Sequence, residues 1–282
     1  MGVRAARYRH RMMDEARSVG AMIREWRQRR RLSQLELACD ADISTRHLSF
    51  VETGRSLPSR AMVLRLAERL EVPLRERNVL LTAAGYAPSF RERPLEDPEL
   101  RAAHETIQAL LKAHEPCPAL AIDRHWTMVA WNRAVAPFLE VKRPELIKPP
   151  MNAMRITLHP DGLAPRIANY VEWREHALTR LRRQIDLTAD PILIDLLEEL
   201  RGYPVMETAH PAARANPHTS HHRVAIPFQF MTEAGVLSFF STTTIFGTPI
   251  DITLSELALE TFFPADPATA QALRRMADGW RQ

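Results

Sequence analysis

Apolar residues in the first third of the chain recur every three or four positions, in short bursts separated by residues that cap helices. Val19, Met22, Ile23 and Trp26 fall on one face of a helix expected over about 18–30. Leu37 and Ala38, then Ile43, Leu48 and Val51, repeat that spacing in two shorter helices joined by a tight turn. Ser33 with Glu36 three residues later forms a capping box. The hydroxyl accepts from the Glu36 N–H while the carboxylate reaches back to the Ser33 N–H. Ser44 is placed to cap the second short helix. Val63, Leu66, Ala67 and Leu70 mark a fourth helix over about 59–70, and a fifth over about 74–84 stops at Gly85. The pattern predicts an all-α, five-helix head over 18–87.

Further along, the period changes. Pro88–Pro98 holds three prolines among charges, which makes a stiff linker. Residues 99–114 are helical in pattern, with Leu100, Ala103, Ile107, Leu110 and Leu111 on one side. Ala119–Asp123 and Thr127–Ala130 read as a hairpin, with Trp131–Leu139 a helix behind it. Segments around 151–158, 165–185 and 189–201 read as helices, the longest offering Ile167, Tyr170, Val171, Leu178 and Leu181 as its buried face. Val224, Ile226, Phe228 and Phe230 alternate with Arg223, Ala225, Pro227 and Gln229, as a half-buried strand does. Val236–Phe246 predicts a second long strand and Ile250–Thr253 a short one, followed by helices at about 255–263 and 267–279. The expected second half, 99–282, is α+β: an antiparallel sheet covered largely on one side by helices.

Two short helices joined by a tight turn can set the second in a DNA major groove. With the apolar stripe turned inward, Gln34, Thr45, Arg46, Ser49 and Phe50 point away from the core. Charge agrees with this. Residues 1–92 carry 18 Lys+Arg against 11 Asp+Glu, whereas the whole chain is only +4. The basic surplus therefore sits in the part that holds the helix pair, although 35 Arg against 3 Lys also reflects a general bias of this chain. Double-stranded DNA is the partner these features imply.

Residues 18–87 resemble the phage-repressor (XRE) type of helix-turn-helix domain. The resemblance rests on Ile23-Arg24-x-x-Arg27, Leu32-Ser33-Gln34, Glu36-Leu37-Ala38, Ile43-Ser44, Leu48, Glu52-x-Gly54-Arg55, Pro58-Ser59 and Leu66-Ala67. It implies that Gln34 and Thr45 approach the DNA backbone or outer bases, with Ser44 at the helix start. Arg46, Ser49 and Phe50 would face base edges, and Arg55 a phosphate. It also implies a structural ion pair between Arg27 and Glu52. Where the family commonly has Gly in the turn, this chain has Asp42, which tolerates a left-handed backbone better than most residues. Phe50 cannot pair with a base edge but can pack on a thymine methyl.

The second half resembles the ligand-binding domain of MmyB-like regulators, a PAS-like fold carried behind XRE-type heads. Here the matching residues are Asp123-Arg124-x-Trp126, Ala130-Trp131-Asn132, Asn152-x-x-Arg155, His159-Pro160-x-Gly162-Leu163 and Asn169. They continue through Thr248-Pro249-x-Asp251-Ile252-Thr253-Leu254-x-Glu256-Leu257 and Phe262-Phe263-Pro264-Ala265-Asp266. The resemblance implies a sensor whose apolar pocket accepts a fatty-acid-like or other small hydrophobic molecule. Tyr170 stands where a tryptophan is expected and would reshape the pocket wall. A pocket of that kind needs apolar walls and a few polar groups. Phe228, Phe230 and Phe239, with Met128, Phe138 and Met154, could line it, and Arg155 or His159 could meet a carboxylate head. The same aromatics serve equally well as filled core. The second half is then a dimerisation or protein-docking module without a ligand.

Other classes are weaker. His210, His218, His221 and His222 lie close together but in a Pro-broken segment, without the i, i+4 spacing a metal hydrolase places on a rigid helix. No Gly-rich phosphate loop or G-x-S-x-G elbow is present. We expect no catalytic residue, no metal and no cofactor. Cys39 and Cys117 lack metal spacing and suit a reducing cytoplasm. No apolar run is long enough for a membrane span, and the N-terminus lacks the apolar core of a signal peptide. The basic residues 1–17 are expected to be disordered, as a DNA-contacting arm or an upstream extension. The resulting expectation is a cytoplasmic, ligand-responsive regulator, a homodimer whose two recognition helices meet half-sites one helical turn apart.

Overall fold

The computed structural model describes residues 18–206, 226–233, 235–247, 249 and 251–281. The basic segment 1–17, the four histidines between 210 and 222, and the predicted strand start at 223–225 lie outside the described residues. The chain divides into two compact units. The first comprises the head through Glu92 with Ile250–Ile252, and the second Arg93–Pro249 with Thr253–Gln282.

The first unit holds five helices: α1 Val19–Arg29, α2 Gln34–Asp40, α3 Thr45–Glu52, α4 Arg60–Arg69 and α5 Leu74–Ala83. Four begin on a serine whose hydroxyl accepts a backbone N–H of the first turn: Ser18, Ser33, Ser44 and Ser59. The Ser33–Glu36 box is closed in both directions, at 3.2 and 2.6 Å. Arg31, Asp42 and Glu71 take left-handed backbone at the ends of α1, α2 and α4, so Asp42 makes the turn with φ 52°. Ile23, Leu37, Leu48, Val63, Leu66, Leu70, Leu80 and Leu81 are wholly inaccessible and form one core. α1 crosses α3 at Gly20, where a Cβ would lie 2.0 Å from the Val51 carbonyl oxygen. Only glycine permits that approach. The segment after α5 is fastened to the same unit. The Asn78 amide accepts from Ser89 and Phe90 N–H and donates to the Phe90 carbonyl.

The second unit opens with α6 Arg101–Ala113, then β1 Ala119–Ile122 and β2 Met128–Trp131. A 3₁₀ stretch, Arg133–Leu139, follows in place of the predicted α-helix over Trp131–Leu139, and Pro137 lies inside it. Next come α7 Ala153–Leu158, α8 Tyr170–Thr188, α9 Pro191–Arg201, β3 Phe228–Thr232 and β4 Gly235–Ile245. A short helix α10 Ile252–Ser255, β5 Ala258–Pro264 and α11 Pro267–Asp278 complete it. The sheet is antiparallel in order β2-β1-β5-β4-β3. Three expectations are corrected. The predicted helix over 255–263 gives way from residue 258 to the central strand, Ala258–Pro264. Ile252 and Thr253, predicted in the short strand Ile250–Thr253, instead begin the helix Ile252–Ser255. Val171 and Leu110 are exposed rather than inward.

Both faces of β1 are covered. Leu120, Ile122, Met128, Phe228, Phe230, Leu237 and Phe239 join the larger core with α7, α8 and α9. Ala119, Ala121, Ala130 and Leu259 face a smaller core with Ile107 and Leu111 of α6. The cross-strand pair Phe240 and Phe263 remains exposed, at 41% and 45%.

Candidate functional site

In the first unit, the flank of α3 is built around one buried polar node. Arg27 Nε and Nη2 donate to the two carboxylate oxygens of Glu52 at 2.7 and 2.9 Å, and Arg27 Nη1 donates to the Leu32 carbonyl at 2.8 Å. Glu52 raises the Arg27 guanidinium further above its ordinary value, chiefly through these hydrogen bonds and against the opposing effect of burial. Gln34 also turns to this node, donating from Nε2 to Glu52 Oε2 at 2.7 Å. That is not the outward DNA approach expected of it. The triad ties α1, α2 and the end of α3 together, fixing the pose of α3.

The other flank of α3 is open. Arg46 is exposed, while Thr45, Ser49 and Phe50 are half-buried on the same side. The Arg46 guanidinium lies 5.4 Å from the Phe50 ring centroid, a cation–π distance that orients the charge over an apolar platform. Ser44 uses its hydroxyl on the His47 N–H at 3.1 Å, so its part in the site is the helix start. Arg55 is exposed just past the helix, after Gly54 turns the chain with φ 73°. Thr45, Arg46, Ser49 and Phe50 of α3, and Arg55 just beyond it, all keep some exposure.

The second unit contains a cavity of about 80 Å³ between the sheet and α7 and α8. Ala153, Ile156 and Thr157, at helical spacing on α7, form one wall. Leu120, Phe228 and Phe262 from the sheet and Trp173 from α8 face it. Of the nine residues expected to line a pocket, Met128, Phe138 and Phe228 do so. Met154, Tyr170, Phe230 and Phe239 are buried in the surrounding core instead, because each fills space between elements rather than facing a void. Phe138 packs 4.5 Å from Phe230 and 6.1 Å from Phe239, so these rings brace the wall from behind. Tyr170 donates its hydroxyl to the Leu158 carbonyl at 3.1 Å, and burial is the first cause of its raised phenol.

Arg155 and His159 are not in the lining. Arg155 already holds a carboxylate: its Nε and Nη2 contact Glu199 at 2.9 and 2.8 Å, and the Tyr203 hydroxyl donates to Glu199 at 2.6 Å. The Arg155 hydrogen bonds hold the Glu199 carboxyl below its ordinary range. Burial, then Glu199, pushes the Tyr203 phenol up. His159 Nδ1 accepts from the Asp161 N–H at 3.0 Å and its ring meets Tyr203 edge-on at 4.9 Å.

Three asparagines of the motifs matched in the second half, Asn132, Asn152 and Asn169, act as frame. Asn132 joins β1 to the end of α6 through bonds with Ala119, Leu111 and Cys117. Asn152 caps α7 and donates to the His125 carbonyl. Asn169 ties α8 to β3 through the Pro227 carbonyl and the Gln229 N–H. Sequence reasoning missed Trp173 and the α7 wall, since apolar residues at helical spacing read as ordinary core. The 153/156/157 spacing was the available signal. Among the described residues, no group of three or more His, Cys, Asp or Glu could hold a metal ion, and no helix is long and apolar enough to cross a membrane.

Two family models match the chain. A helix-turn-helix model covers residues 23–77, from within α1 through α4 to the start of α5. The model of the MmyB-like transcription regulator ligand binding domain covers residues 103–276, from α6 to α11. No curated protein matches the chain. The chain belongs to the MmyB-like transcription regulators, with a DNA-binding head and a ligand-binding domain.

Proposed function

We propose that this regulator sets α3 in the major groove of an operator and that a small hydrophobic ligand in the second unit changes its affinity for that operator. Arg46, Ser49 and Phe50 read base edges in this account. Arg46 pairs with guanine and Phe50 packs on a thymine methyl. Thr45 and Arg55 meet the backbone, the start of α3 at Ser44 lies against a phosphate, and Gln34 positions Glu52. A cytoplasmic homodimer would present two such helices to half-sites one turn apart. Coupling is reciprocal: a ligand that favours one operator-binding state is itself bound more tightly when the operator is present. The carrying observation is the exposed Arg46 poised over Phe50 on a helix whose other side is locked by Arg27 and Glu52.

The test is selection of duplexes from a random pool by the full chain, with and without fatty acids of graded length. A preferred inverted repeat whose retention changes with one chain length supports the proposal. Absence of any preferred sequence removes it. We keep fatty-acid-like molecules as the first ligand class to try. The second unit as a ligand-free docking or dimerisation module remains the alternative, favoured by one observation: Phe240 and Phe263 lie side by side and exposed on the outer sheet face.

A further inference from the structure

The cavity under the sheet is small and almost wholly apolar. Among the described lining residues Thr157 supplies the one side-chain hydroxyl. Trp173 meets the cavity with its ring alone, since its Nε1 is buried and finds no hydrogen-bond partner. A wall of this kind favours the burial of methylenes. Each CH₂ that finds room strengthens binding about fourfold. Room is what runs out. At about 80 Å³ the cavity is roughly half of the ~150 Å³ engineered cavity that binds benzene, so about three to five carbon atoms fill it.

Its depth depends on one ring. Phe138, Trp173, Phe228 and Phe262 line the cavity. Phe228 neighbours the other three, with ring centroids 6.2 Å from Phe138, 4.9 Å from Trp173 and 5.9 Å from Phe262. It also stacks on Phe230 at 5.9 Å and on Phe239 at 6.4 Å, two wholly inaccessible rings outside the lining. Phe228 therefore separates the void from the packed rings of the core. The lining is also graded in exposure. Phe138, Ala153, Thr157 and Phe262 are half-buried, whereas Leu163 and Phe228 are buried. The approach from solvent lies past the first group, and Phe228 stands in the second.

We propose that the cavity selects by aliphatic length, taking a short chain of about three to five carbons and excluding a long acyl chain, and that Phe228 sets the limit. The inference rests on the second unit being a ligand sensor, and names the ligand class and the residue that measures it. A longer chain has two options. It must push Phe228 off five neighbouring rings, or leave its remaining carbons in water, where they add nothing to affinity.

The experiment titrates the full chain with unbranched 1-alkanols from propanol to decanol, which carry no charge. Binding is followed on the methyl resonances of Met128 and Ile156, both in the lining. Affinity should rise about fourfold per carbon as far as pentanol and then level off. Phe228→Leu leaves space behind the shortened side chain and should carry the rise about one or two carbons further. Ala153→Met fills the cavity from α7. It should weaken pentanol about fifteen-fold, the equivalent of two methylenes, without lowering thermal stability. Should Phe228→Leu fail to fold, the length profile and Ala153→Met still decide. Affinity that climbs evenly through decanol, a limit unmoved in folded Phe228→Leu, or pentanol binding untouched by Ala153→Met overturns this inference while leaving the sensor intact. If no alkanol binds, both readings fall.

Discussion

Glu52→Gln tests how the DNA-facing helix is held. The Glu52 carboxylate, with a side chain 1% exposed, accepts three hydrogen bonds: two from Arg27 and one from Gln34. Glutamine has one acceptor oxygen and sets an NH₂ group against a guanidinium donor. At most one bond to Arg27 survives, and the Arg27 charge, itself on a side chain 10% exposed, loses its counter-charge. Breaking a buried pair from one side costs about 3–5 kcal/mol. That is a large part of the roughly 5–15 kcal/mol that stabilises a typical domain. Arg27→Met should cost a similar amount for the mirror reason. The double variant removes both charges, and should lose about 2 kcal/mol or more less than the sum of the single losses. Hydrogen exchange on the full chain, read on peptides over 19–29 and 45–52, should show protection falling by about two orders of magnitude or more in each single variant. Additive single and double losses, or single losses under about 1 kcal/mol, would refute the argument that this node holds α3 in place.

Three further outcomes are expected. Arg46→Ala should weaken the preferred operator by about 1–3 kcal/mol and relax discrimination at one base position, as read by competition binding with single-base variants. Gly20→Ala should destabilise the head by about 1–3 kcal/mol, because its Cβ would sit 2.0 Å from the Val51 carbonyl and push α1 off α3; thermal unfolding measures this. Glu199 is held below the ordinary carboxylate range by Arg155, so its folded-state value lies under the unfolded value of about 4.3. Its contribution is therefore full above about pH 4.3 and lost as pH falls through the folded value. Denaturation between pH 2 and 7 should show wild type and Glu199→Gln converging at the acid end and separating toward neutrality.

The head was legible because its signals are local. Ser33 with Glu36, Ser44 before an apolar burst, and Asp42 at a turn each specify geometry within four residues, and the structure realises all three. The central strand was not. Ala258-Leu259-Glu260-Thr261-Phe262-Phe263 lies between β1 and β4 with apolar residues directed to both faces, so it lacks the alternation that marks a half-buried strand. Glu260 at its middle reads as a helix surface residue. It is in fact buried and held by Arg180 at 2.6 Å, a partner 80 residues away that no local pattern reveals. The cavity was half legible for a related reason. Aromatic residues on the strands were found by alternation, but which of them face a void and which fill space depends on α7 and α8 closing over them. Trp173 was not singled out, because an unmet N–H is a property of its surroundings.

The position of β5 sets the order in which the chain can become active. β1 finds its second neighbour only at residues 258–261, far along the chain, whereas every helix of the head contacts others within the first 92 residues. Domains fold as units as they emerge, and distant pairings are slow to close. A nascent chain therefore presents a finished operator reader while its sheet still has two unpaired edges and an open core. A stop codon before residue 258 would leave such a reader without the element that completes the sensor. It should occupy the operator in a fixed, ligand-blind manner and carry exposed strand edges prone to aggregation.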